Sequence, residues 1–333
     1  MLNFTDAVIL APMVRVTNLP FRLTCYDYGA DICYTEELID YALLKSTRTQ
    51  VGDMTLMTDP NDKIVFATIP REKDKLILQI GSNDGSRASR AIEPIADVIS
   101  EVGLNLGCPV KKNRVCGIGH ALSETPERAA DVISTLKRNL NIPISAKIRI
   151  QNTREETNIL IENLLHAGIT SLTVHGRTKD MKGTDKANWE EIAFALEIAK
   201  KWGVPTIANG GVETFQDVDK IKQVTKCDGV MIGRAALENP SVFSSLGLSP
   251  PLEVTNKLLS YSINTRHVAY PPKYNVVHFN HGDNLMVEKI QKVKSFSEIC
   301  RLFDVDYLDE VDLGKRSVGG NGEIDDKKIN KSD

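Results

Sequence analysis

The chain has 333 residues, 41% of them hydrophobic, and 41 basic against 44 acidic side chains for a formal net charge of −3. These fractions are ordinary for a folded globular protein and exclude wholesale disorder, and no run of about 18 apolar residues reads as a transmembrane helix. The charge balance gives no global pull toward nucleic acid, so any such partner has to be read from local clusters.

The start, MLNFTDAVILAPM, lacks the basic n-region and cleavage site of a signal peptide. Six cysteines without a CxxC pair argue against a disulfide scaffold or a zinc site, so no metal is expected. Reduced thiols point to a cytoplasmic location, with the nucleus as the alternative. Eight short β-branched or aliphatic runs then follow in order: Ala7–Pro12, Asp31–Leu38, Lys75–Ser82, Val102–Pro109, Ile144–Ile150, Ser171–Arg177, Val204–Val212 and Gly229–Ala236. Helical patterns separate them. Continuous apolar runs alternating with helices imply a parallel sheet, and eight such units suit an α/β (β/α)8 TIM barrel over residues 1–240. A doubly wound open sheet fits the same periodicity, which does not register closure.

Between the runs, Thr125 and Pro126 read as an N-cap with proline in the first turn, and Glu155–His166 as a helix stopped by Gly168. Gly117–Leu122 (GIGHAL) lacks the third glycine and the preceding strand of a dinucleotide fingerprint, and it reads as loop. Strand signals cease at about Ser241. Leu252–Val268 and Asp283–Phe303 read as helices of a small C-terminal all-α helical domain, 245–312. Residues 313–333 are glycine-rich and charged, the composition of a disordered tail.

In a barrel of this kind the chemistry sits at the C-terminal ends of the strands. Those ends carry Met13 and Arg15, Glu36 and Glu37, Gln79, Asn105 and Cys108, Lys147 and Arg149, His175 and Arg177, Asn209, and Arg234. Polar residues at one end of nearly every strand argue for a single polar pocket. Gly210, Gly211 and Gly233 let backbone amides approach a ligand, and with Arg234 they mark a phosphate site; tight βα turns are the plainer explanation. Lys147 suits the negative charge of a reduced flavin and Gln79 its pyrimidine edge, whereas a salt bridge from Lys147 to Glu36 or Glu37 would explain the lysine structurally. Cys108, between Gly107 and Pro109, reads as displayed. Cys25, Cys33, Cys227 and Cys300 read as buried apolar residues. A thiol with a pKa of about 8.5 serves as an acid at neutral pH.

Seven strings together resemble the flavin-dependent tRNA dihydrouridine synthases: APMVRVTNLPFR (11–22), LILQIGS (76–82), LNLGCP (104–109), AKIRI (146–150), TVHGRT (173–178), ANGGV (208–212) and IGRAALENP (232–240). APMVR with EELID most resembles the eukaryotic branch acting on uridine 20 of the D-loop. The resemblance implies FMN as cofactor, NADPH or NADH as reductant and tRNA as partner, with no membrane and no obligatory protein partner. It implies backbone contacts to FMN from Pro12, Met13 and Val14, with Gln79, Lys147 and His175 around the ring and ribityl chain. Asn209, Gly210, Gly211, Gly233 and Arg234 would hold the phosphate, Cys108 would be the general acid, and Asn105, Arg149 and Arg177 would meet the uridine. Hydride would reach C6 of the uracil and the Cys108 proton C5, with the base flipped out of the stack.

Two departures accompany the resemblance. The loop after the cysteine reads Cys116-Gly117-Ile118-Gly119-His120-Ala121-Leu122 where the family has a GGxGAAL type, which bears on loop order and makes Cys116 a second thiol. In place of a double-stranded-RNA-binding domain there is an acidic helical stretch and a polar tail. RNA affinity would rest on the helical domain and on basic clusters: Lys111, Lys112 and Arg114; Arg177, Lys179, Lys182 and Lys186; Arg266, Lys273, Lys289, Lys292 and Lys294. Tyr270 and Tyr274 are candidates for base stacking. The alternatives are a flavin oxidoreductase acting on a small pyrimidine or enoate, and a non-catalytic tRNA-binding protein.

Overall fold

The structure, a computed structural model, describes residues 2–110, 115–265 and 272–307. Lys111, Lys112, Arg114, Arg266, Tyr270 and the tail at 313–333 lie outside the described residues. The strands are β1 (Val8–Leu10), β2 (Ile32–Ile39), β3 (Thr47–Val51), β4 (Met54–Thr58), β5 (Ile64–Thr68), β6 (Leu76–Gly81), β7 (Glu101–Leu106), β8 (Ile144–Arg149), β9 (Leu172–His175), β10 (Thr206–Asn209) and β11 (Gly229–Ile232). Eight of them close into a parallel barrel in the order β1-β11-β10-β9-β8-β7-β6-β2, which settles closure in favour of the TIM barrel. The eight barrel strands are the eight apolar runs. Most stop short of the end of their run because the last residues turn away as rim loops.

Successive side chains on a strand point to opposite faces. Ile9, Tyr34, Ile77, Ile207 and Met231 pack together inside the barrel with Phe4, Ala7, Ala11 and Ile32. Their neighbours Val8, Leu10, Cys33, Leu76, Leu78, Ala208, Val230 and Ile232 face the surrounding helices in a second, larger cluster. Among those helices, Arg154–Ala167 begins with a capping box of Thr153 and Glu156 and ends at Gly168, whose φ of 84° is left-handed. Pro126–Asn139 starts after Thr125 as expected, but Thr125 makes no side-chain cap. Its hydroxyl instead donates to the Leu122 carbonyl at 3.2 Å.

A three-stranded antiparallel sheet, β3-β4-β5, is inserted between β2 and β6, where no element was foreseen. Arg22 ties it down from the helix Leu19–Asp27. The guanidinium donates to both Glu72 oxygens at 2.7 Å, to the Thr17 carbonyl at 2.9 Å and to the Ala67 carbonyl, at the end of β5, at 2.8 Å. Arg22 and Glu72 are both buried.

The C-terminal helices are Pro251–Asn264, Lys273–Phe279, Asn284–Lys292 and Phe296–Leu302. The helical stretch expected at Asp283–Phe303 is broken where Ser295 caps the last of them. Leu258, Leu259, Val276, Phe279, Phe296 and Ile299 belong to the same hydrophobic cluster as the barrel's helix-facing residues. Asp27 adds a polar tie, accepting from Arg71 at 2.7 Å, Tyr261 at 2.8 Å and Lys257 at 3.0 Å. Among the described residues no helix is long and apolar enough to cross a membrane.

Candidate active site at the barrel mouth

The inward alternation continues past the apolar floor. On β6, Ile77 is followed two residues on by Gln79; on β7, Gly103 by Asn105; on β8, Ser145 by Lys147 and Arg149; on β9, Thr173 by His175; on β10, Ile207 by Asn209. The registers set these side by side, with Asn105 opposite Lys147, Arg149 opposite His175 and His175 opposite Asn209. They surround a cavity of about 580 Å³ at the C-terminal mouth, closed by Pro12, Met13, Val14, Cys108, Arg177, Gly210, Gly211, Gly233 and Arg234. Every residue assigned a catalytic, cofactor or substrate role from the sequence lines this one cavity, whereas Arg15 and Glu36 of the polar strand ends do not.

Glu37, named with Glu36 among the polar strand ends but given no role, also lines it. From Tyr34, simple alternation would turn Glu36 inward. A register shift between Tyr34 and Glu37 places Glu37 opposite Gln79 instead. A one-residue bulge of this kind leaves no trace in a hydrophobicity pattern. Glu36 accepts the backbone N–H of Arg15 at 3.0 Å, which holds Arg15 at a φ of 67° in the loop after β1. Neither carboxylate pairs with Lys147, which makes no hydrogen bond or ion pair among the described residues. The salt bridge expected as the structural explanation for Lys147 is therefore not formed. Gly183, Glu213 and Glu238 complete the rim; they belong to loops and a short helix that a strand-end reading does not reach.

Cys108 is held from two sides. The Asn105 carboxamide oxygen accepts the N–H of Gly107 at 2.9 Å and of Cys108 at 3.2 Å. On the other side the Cys108 carbonyl accepts the N–H of His120 at 3.0 Å. Gly119, at a φ of 64°, lies so close that a Cβ there would meet the Cys108 carbonyl oxygen at 2.8 Å. The segment expected to be loop is partly ordered, with His120–Ser123 forming one helical turn. His120 is buried, its Nδ1 3.1 Å from the Ser123 hydroxyl. Cys116 is exposed, while Cys25, Cys33, Cys227 and Cys300 are buried free thiols.

Burial, reinforced by the charge of Glu37, pushes the Cys108 thiol up, against the opposing pull of Arg149 and Lys147. It is a protonated thiol at neutral pH. Burial and then Arg149 push Lys147 down to about 7, partly offset by Cys108. His175 is held well below the usual imidazole range by burial and by the cations Lys147, Arg149, Arg177 and Arg234. As a neutral ring its Nε2 can accept from Arg177 Nη1, 3.0 Å away.

The arginines are anchored rather than loose. Arg149 donates to the carbonyls of Gly107 at 2.9 Å and Thr178 at 2.8 Å, and Arg177 to that of Asp185 at 2.6 Å. Met13 is less available through its backbone than expected. Its N–H donates to the Thr17 hydroxyl, and its carbonyl accepts from Val16 and Thr17.

At the opposite wall Gly210 and Gly211 have φ of 109° and 75°. A Cβ on Gly210 would strike His175 Cδ2 at 2.7 Å. The bend is thus open only to glycine. The N–H groups of Gly210, Gly211 and Val212 donate to no acceptor among the described residues. Unspent amides beside Arg234 form a place for an anion. Gln79 and the unpaired Lys147 sit toward the other end of the cavity.

Fold and cavity define a closed parallel barrel protein with one polar cavity at the C-terminal mouth and a thiol in its wall. The dihydrouridine synthase (Dus) family profile matches residues 9–292, and the chain belongs to that family. It is 28% identical over 319 residues to a tRNA-dihydrouridine(20) synthase (NAD(P)+) of Schizosaccharomyces pombe, covering 92% of this chain and 67% of that protein. It is 33% identical over 260 residues to the protein of the same name from Saccharomyces cerevisiae, covering 73% and 67%. A tRNA-dihydrouridine(20a/20b) synthase (NAD(P)+) of S. cerevisiae is 30% identical over 244 residues, covering 73% and 63%. Alignments thus span about two thirds of these relatives.

Proposed function

We propose that this chain is a tRNA-dihydrouridine synthase that reduces the C5=C6 bond of uridine 20 in the D-loop, with FMN as cofactor and NADPH or NADH as reductant. The observation that carries the reading is Cys108: a thiol kept protonated and fixed at the cavity wall across from an anion-holding glycine turn. Membership of the family and the names of its relatives supply the substrate class.

The cavity fits FMN by the chemistry of its donors. Asn209, Gly210, Gly211, Gly233 and Arg234 would take the phosphate. Gln79, Lys147 and His175 would lie along the ribityl chain and ring, and Pro12, Met13 and Val14 would close one edge, Met13 chiefly by its side chain. Bound FMN, reduced by the nicotinamide, supplies the hydride that adds to C6 of the uracil. Hydride addition at C6 builds enolate character in the base, so a proton is needed at C5. Cys108 Sγ holds that proton, and Glu37 together with burial keeps it there. Lys147, poorly solvated and unpaired, gains most by meeting an anion. Asn105, its carboxamide oxygen spent on the Cys108 loop, keeps its amide N–H for the base. Arg149 and Arg177, anchored by carbonyls, are set to face the uridine.

The target base must leave its stack to enter. Among the described residues of the expected clusters, the exposed Lys182, Lys186, Lys289, Lys292 and Lys294 are available to RNA phosphates. Two other lysines of the expected clusters are already engaged: Lys179 pairs with Glu124 at 2.6 Å, and Lys273 caps the carbonyls of Gln291 and Val293. Six free thiols support the cytoplasm or nucleus as the compartment.

Mass spectrometry of digested D-loop tRNA tests the reading. The purified protein with NADPH should convert uridine 20 to dihydrouridine. Cys108→Ala should retain its yellow flavin and lose most of that conversion. Full activity in this variant would remove Cys108 from its role.

A further inference from the structure

We infer that Tyr41, backed by Arg87, is a stacking platform for a nucleobase adjacent to the reacting uridine, an inference that rests on the tRNA reading above. Tyr41 is the second residue of the short helix Asp40–Leu44 at the C-terminal end of β2, the end of the barrel that carries the cavity. An aromatic side chain normally hides, yet this one is 57% exposed. It is nonetheless not loose. The Arg87 guanidinium carbon lies over its ring, 4.2 Å from the centroid, covering one face and leaving the rest of the side chain open to a partner.

Arg87 is itself immobilised. Its Nε donates to the buried Asp40 carboxylate at 2.7 Å and its Nη2 to the Asn83 carboxamide oxygen at 2.8 Å. The Asn83 Nδ2 in turn donates to the Cys116 carbonyl at 2.9 Å, in the loop whose Gly119 packs on Cys108. A chain of hydrogen bonds therefore joins the exposed ring to the segment that seats the thiol. Folding has already met the ordering cost that a mobile tyrosine would incur on binding.

The surroundings favour a base over a phosphate. Val14, Leu44, Val110 and Val115 are also exposed, on the loops after β1, β2 and β7 that share this part of the rim. The cavity's unspent amides and Arg234 lie on the loops after β10 and β11, which β1 separates from β2. A flipped uridine leaves its neighbours unstacked, and a fixed aromatic face replaces the lost stacking whatever the base, because every base has a π-face.

The test uses the full chain, an unmodified tRNA transcript and NADPH. Tyr41→Ala should raise the KM for tRNA about thirtyfold, the middle of the range that loss of one base–aromatic stack gives, while kcat moves less than twofold. Tyr41→Trp should return the KM to within about twofold of wild type, which a role in folding or loop order alone would not produce. A 2-aminopurine placed next to uridine 20 should be quenched on binding to wild type and far less by Tyr41→Ala. If wild type forms dihydrouridine and Tyr41→Ala keeps the wild-type KM and quenching, the platform is wrong and the enzyme reading survives. If wild type forms none, both fall together.

Discussion

At the scale of single residues, the site is organised around where protons rest. Cys108, half-buried, keeps its proton because the wall desolvates it and the Glu37 charge adds to that. Glu37→Gln should therefore lower the thiol pKa, and the pH profile of iodoacetamide alkylation at Cys108 should move to lower pH. An unmoved profile would leave burial as the sole cause. Lys147 gives a stability signature of opposite character. The unfolded chain holds the lysine proton up to about 10.4, whereas the folded, flavin-free protein releases it at about 7. Between those values the unfolded state binds more protons, so stability rises with pH; below about 7 the full penalty is present. In thermal melts of flavin-free protein, Lys147→Met should exceed wild type at pH 6 and the gap should close toward pH 10. The same substitution should weaken flavin retention. Gly119→Ala would need its Cβ 2.8 Å from the Cys108 carbonyl oxygen and a left-handed φ. It should lose about 1–3 kcal/mol of stability and a large part of kcat, measured by denaturant unfolding and single-turnover assay.

At the scale of elements, the period-two pattern on the barrel strands made the cavity legible. Ile77 followed by Gln79, Ile207 followed by Asn209 and Thr173 followed by His175 each place an apolar floor residue beneath a polar one. What alternation cannot carry is a register shift, so it could not tell which of Glu36 and Glu37 turns into the cavity. The β3-β4-β5 sheet was missed for another reason. Its edge strand TRTQV is exposed and polar, and although MTLMT and IVFAT are partly or largely buried, they pair only with local antiparallel partners and break the spacing of strand and helix that marks the barrel strands. Its anchor is a buried ion pair, and such pairs are costly to break singly. Arg22→Met should destabilise by about 3–5 kcal/mol in urea titration. Arg22→Met combined with Glu72→Leu should recover most of that loss, because no lone buried charge remains.

At the scale of the whole molecule, the near-neutral sum hides a division of labour. The exposed lysines at 182 and 186 follow β9, and those at 289, 292 and 294 lie on and after one C-terminal helix. Replacing Lys289 and Lys292 together by alanine should weaken tRNA binding, and the slope of log affinity against log salt should become shallower by about 1 to 2. An unchanged slope would place the RNA elsewhere.

The ring of Phe21, from the first barrel helix, lies 6.2 Å centroid to centroid from Phe279 of the C-terminal helices, within the one hydrophobic cluster that both regions share. The two regions therefore cannot be exchanged like separable cartridges. A chain ending at Ser244 would uncover Phe21 and its neighbours and should collect in inclusion bodies. A swap of the C-terminal helices between relatives would succeed only if the seam residues travelled with them. Any change on the inner face of the C-terminal helices must thus be accommodated by substitutions in the first barrel helix.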